Sequence, residues 1–290
     1  MNYKQEKTLF FLHIPKAAGT TLNDIITRQY KSESVFQTNP VNIRESKNKL
    51  IKMSESDKEN FKVIKGHMEF GWHEFIPQEF TYITMLRDPV ERVISLYYYI
   101  LKNPRHYLYN IVTENRMSLR DLLSSRISAQ LSNGQTRILS GREELVQKPL
   151  AVFEECPAEW LDSAKQNLDK YFVTFGLTEK FDESLILFKQ ILGWKIPFYT
   201  SKNVNKHRLF KSEFSVQDII LIEEYNRLDI ELYKYAKKLF EEQIYRQQSA
   251  IKTDLRRFRQ FNQVYRVYAK FSNYSRSAKN KVKSIIKDCV

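Results

Sequence analysis

The chain has 290 residues, of which 42% are hydrophobic and 13% aromatic, so it can bury a substantial core and is not a disordered protein. That length fits one large domain or two ordinary ones. The formal net charge of +13 points to an anionic partner, which leaves nucleic acid, an acidic membrane face and a phosphorylated or sulfated small molecule as the classes to separate.

The first predicted element is the short apolar run TLFFLH near the N-terminus. It is too short for a signal-peptide core or a membrane span, so we expect a cytoplasmic protein. The two cysteines, Cys156 and Cys289, lie far apart and form neither a CxxC pair nor a Cys/His metal pattern. A reducing compartment without a disulfide framework is therefore expected.

Apolar runs and segments with helical spacing alternate along the chain. Buried strands are predicted at Thr8–His13, Phe61–Lys65, Thr81–Leu86 and Tyr171–Phe175. Helices are predicted at Thr20–Tyr30, Pro89–Leu101 and Phe181–Leu192, with a long polar loop containing some helix over 31–60. Strands separated by helices predict an α/β fold: a P-loop-like parallel sheet flanked by helices, followed by a mostly helical C-terminal part.

The first motif, HIPKAAGTTLNDII at 13–26, lies where the first strand runs into the first helix. Backbone N–H groups at a helix start, two hydroxyls and a lysine form an anion-binding nest. Its predicted anion-binding residues are Lys16, Ala17, Ala18, Gly19, Thr20 and Thr21. The order differs from a Walker A motif, because the lysine precedes the glycine. An ordinary strand–turn–helix with a threonine cap is the alternative.

The second motif, YITMLRDPVERVISLYYYI at 82–100, is again a strand that leads into a capped helix. Arg87 ends the strand, and Ser95 lies about two helical turns beyond Asp88. An arginine and a hydroxyl that converge in this way suit a second phosphate group. The alternative is that Arg87 and Arg92 form structural ion pairs with Asp88 and Glu91. Arg87 also stands where a Walker B strand would carry a metal-binding aspartate.

These motifs resemble those of sulfotransferases that use 3′-phosphoadenosine 5′-phosphosulfate (PAPS). PKAAGTT resembles their 5′-phosphosulfate-binding loop, and RDPVERVIS resembles their 3′-phosphate-binding motif. GHMEFG at 66–71 and NLDKYFVTFGLTEKFDESL at 167–185 resemble the carbohydrate branch that includes heparan sulfate 2-O-sulfotransferase, and NGQTRILSG at 133–141 resembles a segment of related proteins. The resemblance covers most of residues 8–210. It implies a PAPS-dependent sulfotransferase domain at 1–245 that releases PAP and needs no metal.

Such a reaction needs a base for the acceptor hydroxyl, and histidine suits that task at neutral pH. His67 follows a predicted strand and Gly66, at the sheet edge where the phosphate turn is expected. The resemblance implies the same residue as catalytic base. The heparan sulfate enzyme has a second histidine two residues earlier, where this chain has Lys65. A metal site that combines His67 with Glu69 and His73, or a structural histidine, are the alternatives.

The predicted reaction transfers the sulfuryl group from PAPS to a hydroxyl of a carbohydrate or glycolipid. His67 accepts the proton, while Lys16 and the N–H groups of the turn stabilise the departing 5′-phosphate. Arg87 and Ser95 hold the 3′-phosphate. The resemblance adds Lys206, in VNKHR, as part of a late loop that closes over the nucleotide.

Two functions of other classes remain open. A nucleotide-dependent, kinase-like phosphotransferase would need magnesium and an acidic ligand near the strand ends, and the sequence offers no such ligand there. A non-catalytic protein that binds an anionic surface would rely on the C-terminal tail. Gln135 and Arg137 are candidates to face the acceptor, with a structural role as the alternative.

Most of the net charge belongs to the C-terminal tail, residues 246–290. The tail holds twelve Lys plus Arg and two acidic residues, a net of +10, which leaves +3 for residues 1–245. Its apolar residues have near-helical spacing: Leu255, Phe258, Phe261, Val264, Tyr265, Tyr268 and Phe271. This pattern predicts a basic helical tail that contacts the inner membrane surface peripherally or packs on the body. The nearly neutral body argues against a nucleic-acid partner.

Overall fold

The structure is a computed structural model that describes residues 7–141, 155–200 and 214–271. A parallel sheet in the strand order β2-β3-β1-β4-β5 lies at its centre, which confirms the predicted α/β class. The strands are β1 Thr8–Leu12, β2 Val35–Gln37, β3 Val63–Gly66, β4 Phe80–Leu86 and β5 Gly176–Leu177.

Helices flank this sheet and make up the C-terminal part of the described chain. They are α1 Gly19–Gln29, α2 Ile43–Lys52, α3 Glu55–Glu59, α4 Pro89–Lys102, α5 Tyr109–Glu114, α6 Leu119–Ser124, α7 Gly134–Leu139, α8 Glu159–Tyr171, α9 Phe181–Leu192, α10 Val216–Tyr225, α11 Arg227–Arg246 and α12 Gln248–Phe271. The predicted helices correspond to α1, α4 and α9.

The central strand β1 is buried along its whole length, because helices cover both faces of a parallel sheet. Its sequence TLFFL is accordingly a continuous apolar run and does not alternate. Leu12, the last residue of β1, is in register with Gly66 of β3 on one side and with Thr84 of β4 on the other. The carboxyl ends of β1, β3 and β4 therefore lie next to one another at one edge of the sheet.

Two stretches differ from the sequence-based prediction. The polar segment 31–60 contains the edge strand β2, which pairs with β3, in addition to the expected helix. The strand predicted at Tyr171–Phe175 is wrong: α8 runs through Tyr171, Phe172 makes an isolated bridge to Tyr82, and β5 forms only afterwards. Aromatic and β-branched residues are enriched in strands because they suit burial, and here they are buried in a connection beside β4.

The described part of the tail packs against the body through α12. Ile251 and Phe258 are 3% and 1% exposed, and the Phe258 ring stacks on Phe198 at 6.2 Å between centroids. Asp254 accepts a hydrogen bond from Lys189 of α9 over 2.7 Å. Of the apolar tail residues whose side chains the structure describes, Leu255, Phe258, Phe261 and Tyr265 thus pack on the protein itself, and Val264 is exposed.

No helix among the described residues is long and apolar enough to cross a membrane. The rest of the tail, 272–290, lies outside the described residues. The division into 1–245 and 246–290 stays a prediction, as does the cytoplasmic location.

Candidate active site

Three neighbouring strands each end in a polar residue at the carboxyl edge of the sheet. His13 follows β1, His67 follows β3 and Arg87 follows β4. The backbone N–H of His13 donates to the Gly66 oxygen over 3.0 Å, which continues the β1–β3 register and sets the two histidines side by side. This edge is where open parallel sheets bind ligands.

The loop between β1 and α1 has an unusual backbone. Lys16 and Ala18 have φ angles of 67° and 58°, a left-handed conformation that is uncommon for residues other than glycine. Ala18 is the N-cap of α1 and its side chain provides no cap, so the threonine-capped turn considered from the sequence does not form. The first-turn N–H groups of α1, at Gly19, Thr20 and Thr21, have no intrahelical acceptor and carry the positive end of the helix dipole.

Gly19 leaves room for the His13 side chain. A Cβ atom added at Gly19 would overlap the imidazole ring of His13. That ring stacks on the ring of His67, with 4.2 Å between centroids and 24° between planes. Gly19, which opens α1, therefore also leaves the space in which the His13 ring stacks on His67.

The hydrogen bond of His67 fixes its tautomer. Nδ1 lies 2.9 Å from the backbone oxygen of His13, which can only accept, so Nδ1 carries the proton and Nε2 has the free lone pair. Burial lowers the pKa of His67; the bond to His13 raises it, and the positive charge of Lys16 lowers it further. Burial, His67 and Lys16 hold the pKa of His13 well below its usual range. Both rings are accordingly neutral at neutral pH.

The side chain of Lys16 rests on α4. Its Nζ atom lies 3.7 Å from the centroid of the Tyr99 ring, which is 40% exposed. Ser95 lies one helical turn before Tyr99 and so on the same face of α4. Burial, followed by the Lys16 charge, lowers the pKa of the neighbouring His106 to about 4. Ser95 and the Tyr99 ring that contacts Lys16 thus lie on one face of α4.

Arg87 connects the two sequence motifs. Its Nη1 atom donates to the backbone oxygen of Lys16 over 2.9 Å, and its Nη2 atom lies 3.5 Å from Glu91. Its Nε atom is buried and has no hydrogen-bond partner among the described residues. Asp88 does not pair with Arg87 but caps α4, accepting the Glu91 N–H over 3.0 Å.

Arg92 pairs with neither Asp88 nor Glu91 in the described structure. It is 1% exposed, and its Nη2 atom lies 3.6 Å from Asp229 of α11. Gln135 and Arg137 are equally buried, at 0% and 1% exposed, so neither faces an acceptor. The side chain of Gln135 instead bonds to the backbone of Arg87.

The structure separates the residues of the alternative metal site. Glu69 pairs with Lys47 over 2.9 Å, and the Nδ1 atom of His73 lies 3.0 Å from the Tyr82 hydroxyl. Within the described ranges, no group of three or more His, Cys, Asp or Glu is placed to hold a metal ion. Lys65 points away from His67 to bond Thr27 and the oxygen of Asn23, and burial lowers its pKa to about 8. Lys206 lies outside the described residues.

Sequence reasoning missed His13 as the partner of His67 and Tyr99 as the support of Lys16. The signal for His13 was available, because it follows an apolar run directly, as His67 and Arg87 do. The contact of Gln135 with Arg87 had no local signal, since 48 residues separate them.

Comparison with known proteins identifies the family. A family model described as galactose-3-O-sulfotransferase matches residues 2–269. Heparan-sulfate 6-O-sulfotransferase 2 of Gallus gallus is 27% identical, and the match covers 82% of this chain and 68% of that protein. Heparan-sulfate 6-O-sulfotransferase 3 of Mus musculus is 25% identical, and the match covers 84% of this chain but only 60% of that protein. Mouse sulfotransferase SULT7A1, solved with PAP, matches with a TM-score of 0.37 and 14% identity over 77% of this chain and 65% of that chain.

The two heparan-sulfate relatives are 6-O enzymes, whereas the sequence motifs resemble the carbohydrate branch that includes a 2-O enzyme. The family model leaves only the first residue and the last part of the tail unmatched. The protein therefore belongs to the galactose-3-O-sulfotransferase family, and its assignment as a PAPS-dependent sulfotransferase is confirmed.

Proposed function

We propose that the protein transfers the sulfuryl group of PAPS to a hydroxyl of a carbohydrate or glycolipid, with His67 as the general base. The observation that carries the proposal is the hydrogen bond of His67 Nδ1 to the His13 oxygen, 2.9 Å away. It leaves the lone pair of Nε2 available to an acceptor hydroxyl. A neutral imidazole with a defined tautomer is the form a general base requires.

Burial prepares His67 for this role. Burial lowers the pKa of His67, which favours the unprotonated ring that a base requires. The stacked His13 ring limits how far the His67 ring can rotate, since it lies 4.2 Å away. General base catalysis of this kind contributes about 10²–10⁴ in rate.

The loop after β1 suits the 5′ side of the donor. When bound, PAPS supplies an activated sulfuryl group whose transfer leaves negative charge on the 5′-phosphate. Lys16 and the first-turn N–H groups of Gly19, Thr20 and Thr21, which lie at and just before the start of α1, supply the positive charge and the donors that stabilise it. Loss of one such donor typically lowers the rate by about 10²–10³.

Arg87 and Ser95 suit the 3′-phosphate. The buried Nε atom of Arg87 has no hydrogen-bond partner in the part of the chain that the structure describes, and a phosphate oxygen would satisfy it. Ser95, on α4, adds a hydroxyl. These two residues distinguish a 3′-phosphorylated nucleotide from one without that group, with Lys206 as a further proposed ligand.

The sheet order suggests the direction from which the acceptor arrives. Arg87 follows β4, whereas His67 follows β3, so the acceptor approaches His67 from the β2 side of the sheet. Helix α2, which follows β2, carries four basic residues and one acidic residue. This charge suits an anionic carbohydrate, and the relatives named above are heparan-sulfate enzymes.

The test is to incubate the purified protein with radiolabelled PAPS and a panel of acceptors. The panel contains heparan-sulfate polysaccharides, galactose-terminated glycans and glycolipids, and a tyrosine peptide as the non-carbohydrate control. Label should appear in a carbohydrate and not in the peptide. Failure of the wild-type protein to bind PAP in a calorimeter would contradict the proposal at its first step.

A further inference from the structure

The side chain of Gln135 pairs with the backbone of Arg87. The Arg87 N–H donates to Oε1 over 3.0 Å, and Nε2 donates to the Arg87 carbonyl oxygen over 2.9 Å. This pairing occurs one residue beyond Leu86, the last residue of β4, which is in register with Leu177 of β5. The amide of Gln135 therefore takes the place of a strand partner where the sheet has ended.

Gln135 is itself held by a buried carboxylate. Asp229, 0% exposed, accepts the N–H of Gln135 over 3.0 Å, the N–H of Thr136 over 2.7 Å and the Thr136 hydroxyl over 2.8 Å. In return, Asn133 Oδ1 accepts the N–H groups of Leu228 and Asp229 over 3.0 and 3.1 Å. The N-termini of α7 and α11 thus cap each other, which fixes Gln135 without help from solvent.

Arg87 gains a defined position from this arrangement. Its backbone is held by Gln135, and its guanidinium bridges to the oxygen of Lys16 over 2.9 Å. The next residue is also held, because the Asp88 N–H donates to Glu179 over 3.1 Å. A guanidinium group discriminates between anions only when its orientation is fixed. The hydrogen bonds to the backbone of Arg87 and from its guanidinium to Lys16 fix that orientation.

We propose that Gln135 is a positioning residue that aligns Arg87 with the 3′-phosphate of the nucleotide and so sets the preference for 3′-phosphorylated nucleotides. The inference rests on the proposed function, in which Arg87 binds that phosphate. Gln135 does not touch the nucleotide. Its contribution passes through the backbone of Arg87.

The test compares two nucleotides by calorimetry: PAP and adenosine 5′-phosphate, which lacks the 3′-phosphate. Gln135→Met keeps the size of the side chain but removes both hydrogen bonds to Arg87. We expect PAP affinity to fall about 10- to 100-fold, the range for the charge-assisted hydrogen bond from Arg87 to the 3′-phosphate that misalignment would weaken, and adenosine 5′-phosphate affinity to stay unchanged. Gln135→Asn is the second variant, since it keeps a buried amide that is too short to bridge the Arg87 backbone.

Thr136→Val is the matched control. It removes the hydrogen bond from the Thr136 hydroxyl to Asp229 and should lower the free energy of unfolding as the loss of a buried hydroxyl usually does. It leaves the Gln135–Arg87 pairing in place. A general loss of stability would affect this variant as well. Its ratio of PAP to adenosine 5′-phosphate affinity should equal that of the wild type.

The double variant separates this inference from the proposed function. If Gln135 acts through Arg87, adding Gln135→Met to Arg87→Met should cause no further loss of PAP affinity. A wild-type ratio in both Gln135 variants, with a reduced ratio in Arg87→Met, would overturn the role of Gln135 alone. No preference for PAP in the wild type would instead contradict the proposed function.

Discussion

Arg87 and Lys16 are joined by a hydrogen bond of 2.9 Å from the Arg87 guanidinium to the Lys16 backbone oxygen. The two residues belong to different motifs, 71 positions apart. Lys16 has a left-handed backbone, with φ of 67°, that an ordinary loop would avoid. Arg87, which we propose to bind the 3′-phosphate, thus supports the conformation of the loop that we propose to bind the 5′-phosphosulfate, so the two proposed anion sites are built as one unit.

Replacing Arg87 by lysine tests this unit. Arg87→Lys keeps the positive charge but loses the guanidinium group, whose several N–H donors can bind the Lys16 oxygen and a phosphate at the same time. We expect PAP affinity to fall about tenfold or more, and turnover at saturating PAPS to fall as well, because the loop loses its support. Arg120→Lys, at a surface ion pair with Asp218, is the control and should leave both quantities unchanged. Wild-type turnover in Arg87→Lys at saturating PAPS would contradict the coupling.

The pH dependence of activity follows from the burial of His67. The base works unprotonated, so activity rises as pH increases through its pKa, and burial places that pKa below the usual 6.5. We expect the acidic limb of kcat/KM for the acceptor, measured at saturating PAPS, to have its midpoint below 6.5. An acidic limb centred above 6.5 would mean that another group limits the reaction.

Gly19 should tolerate no side chain while His13 is present. Gly19→Ala places a methyl group in the space of the His13 ring, and overpacking of this kind costs about 1–3 kcal/mol. We expect a lower free energy of unfolding and reduced turnover, because His13 must move away from His67. Adding His13→Ala should restore part of the lost stability, measured by denaturant unfolding. Strictly additive losses in the double variant would show that the two residues do not conflict.

The tail helix α12 should contribute to the stability of the body. Phe258 is 1% exposed and packs against Phe198 and Tyr199, so Phe258→Ala should cost about 3–5 kcal/mol of unfolding free energy. Val264 is exposed on the same helix, and Val264→Ala should change stability by less than about 0.5 kcal/mol. Equal, small effects of the two substitutions would indicate a tail that does not pack on the body.

Local patterns in the sequence were enough to predict the carboxyl edge of the sheet. Strand β1 is a continuous apolar run, helices α1 and α4 have clear apolar periodicity, and Asp88 caps α4 as its position before Pro89 predicts. Since parallel strands end at a common edge, the predictions for Lys16, His67 and Arg87 placed these residues together.

The remainder depends on contacts between residues far apart in sequence. Strand β2 is only three residues long and forms because it pairs with the edge of β3. The YFVTF segment has the apolar composition of a buried strand, but a buried connection has the same composition, so composition alone could not distinguish them. Gln135 was a candidate to face the acceptor, and only the packing of α7 against α11 shows that Asp229 holds it in the interior. No local sequence pattern encodes contacts between α7 and α11, so the residues that hold Arg87 in place could not be predicted from the sequence.

The central claim is that His67 is the base in sulfuryl transfer from PAPS to a carbohydrate. The most direct measurement compares radiolabel transfer by the wild type and by His67→Gln, with PAP affinity measured in parallel and His73→Gln as the control histidine. We expect His67→Gln to bind PAP like the wild type but to transfer label at least about 10² times more slowly, while His73→Gln stays active. Wild-type transfer by His67→Gln would contradict the claim.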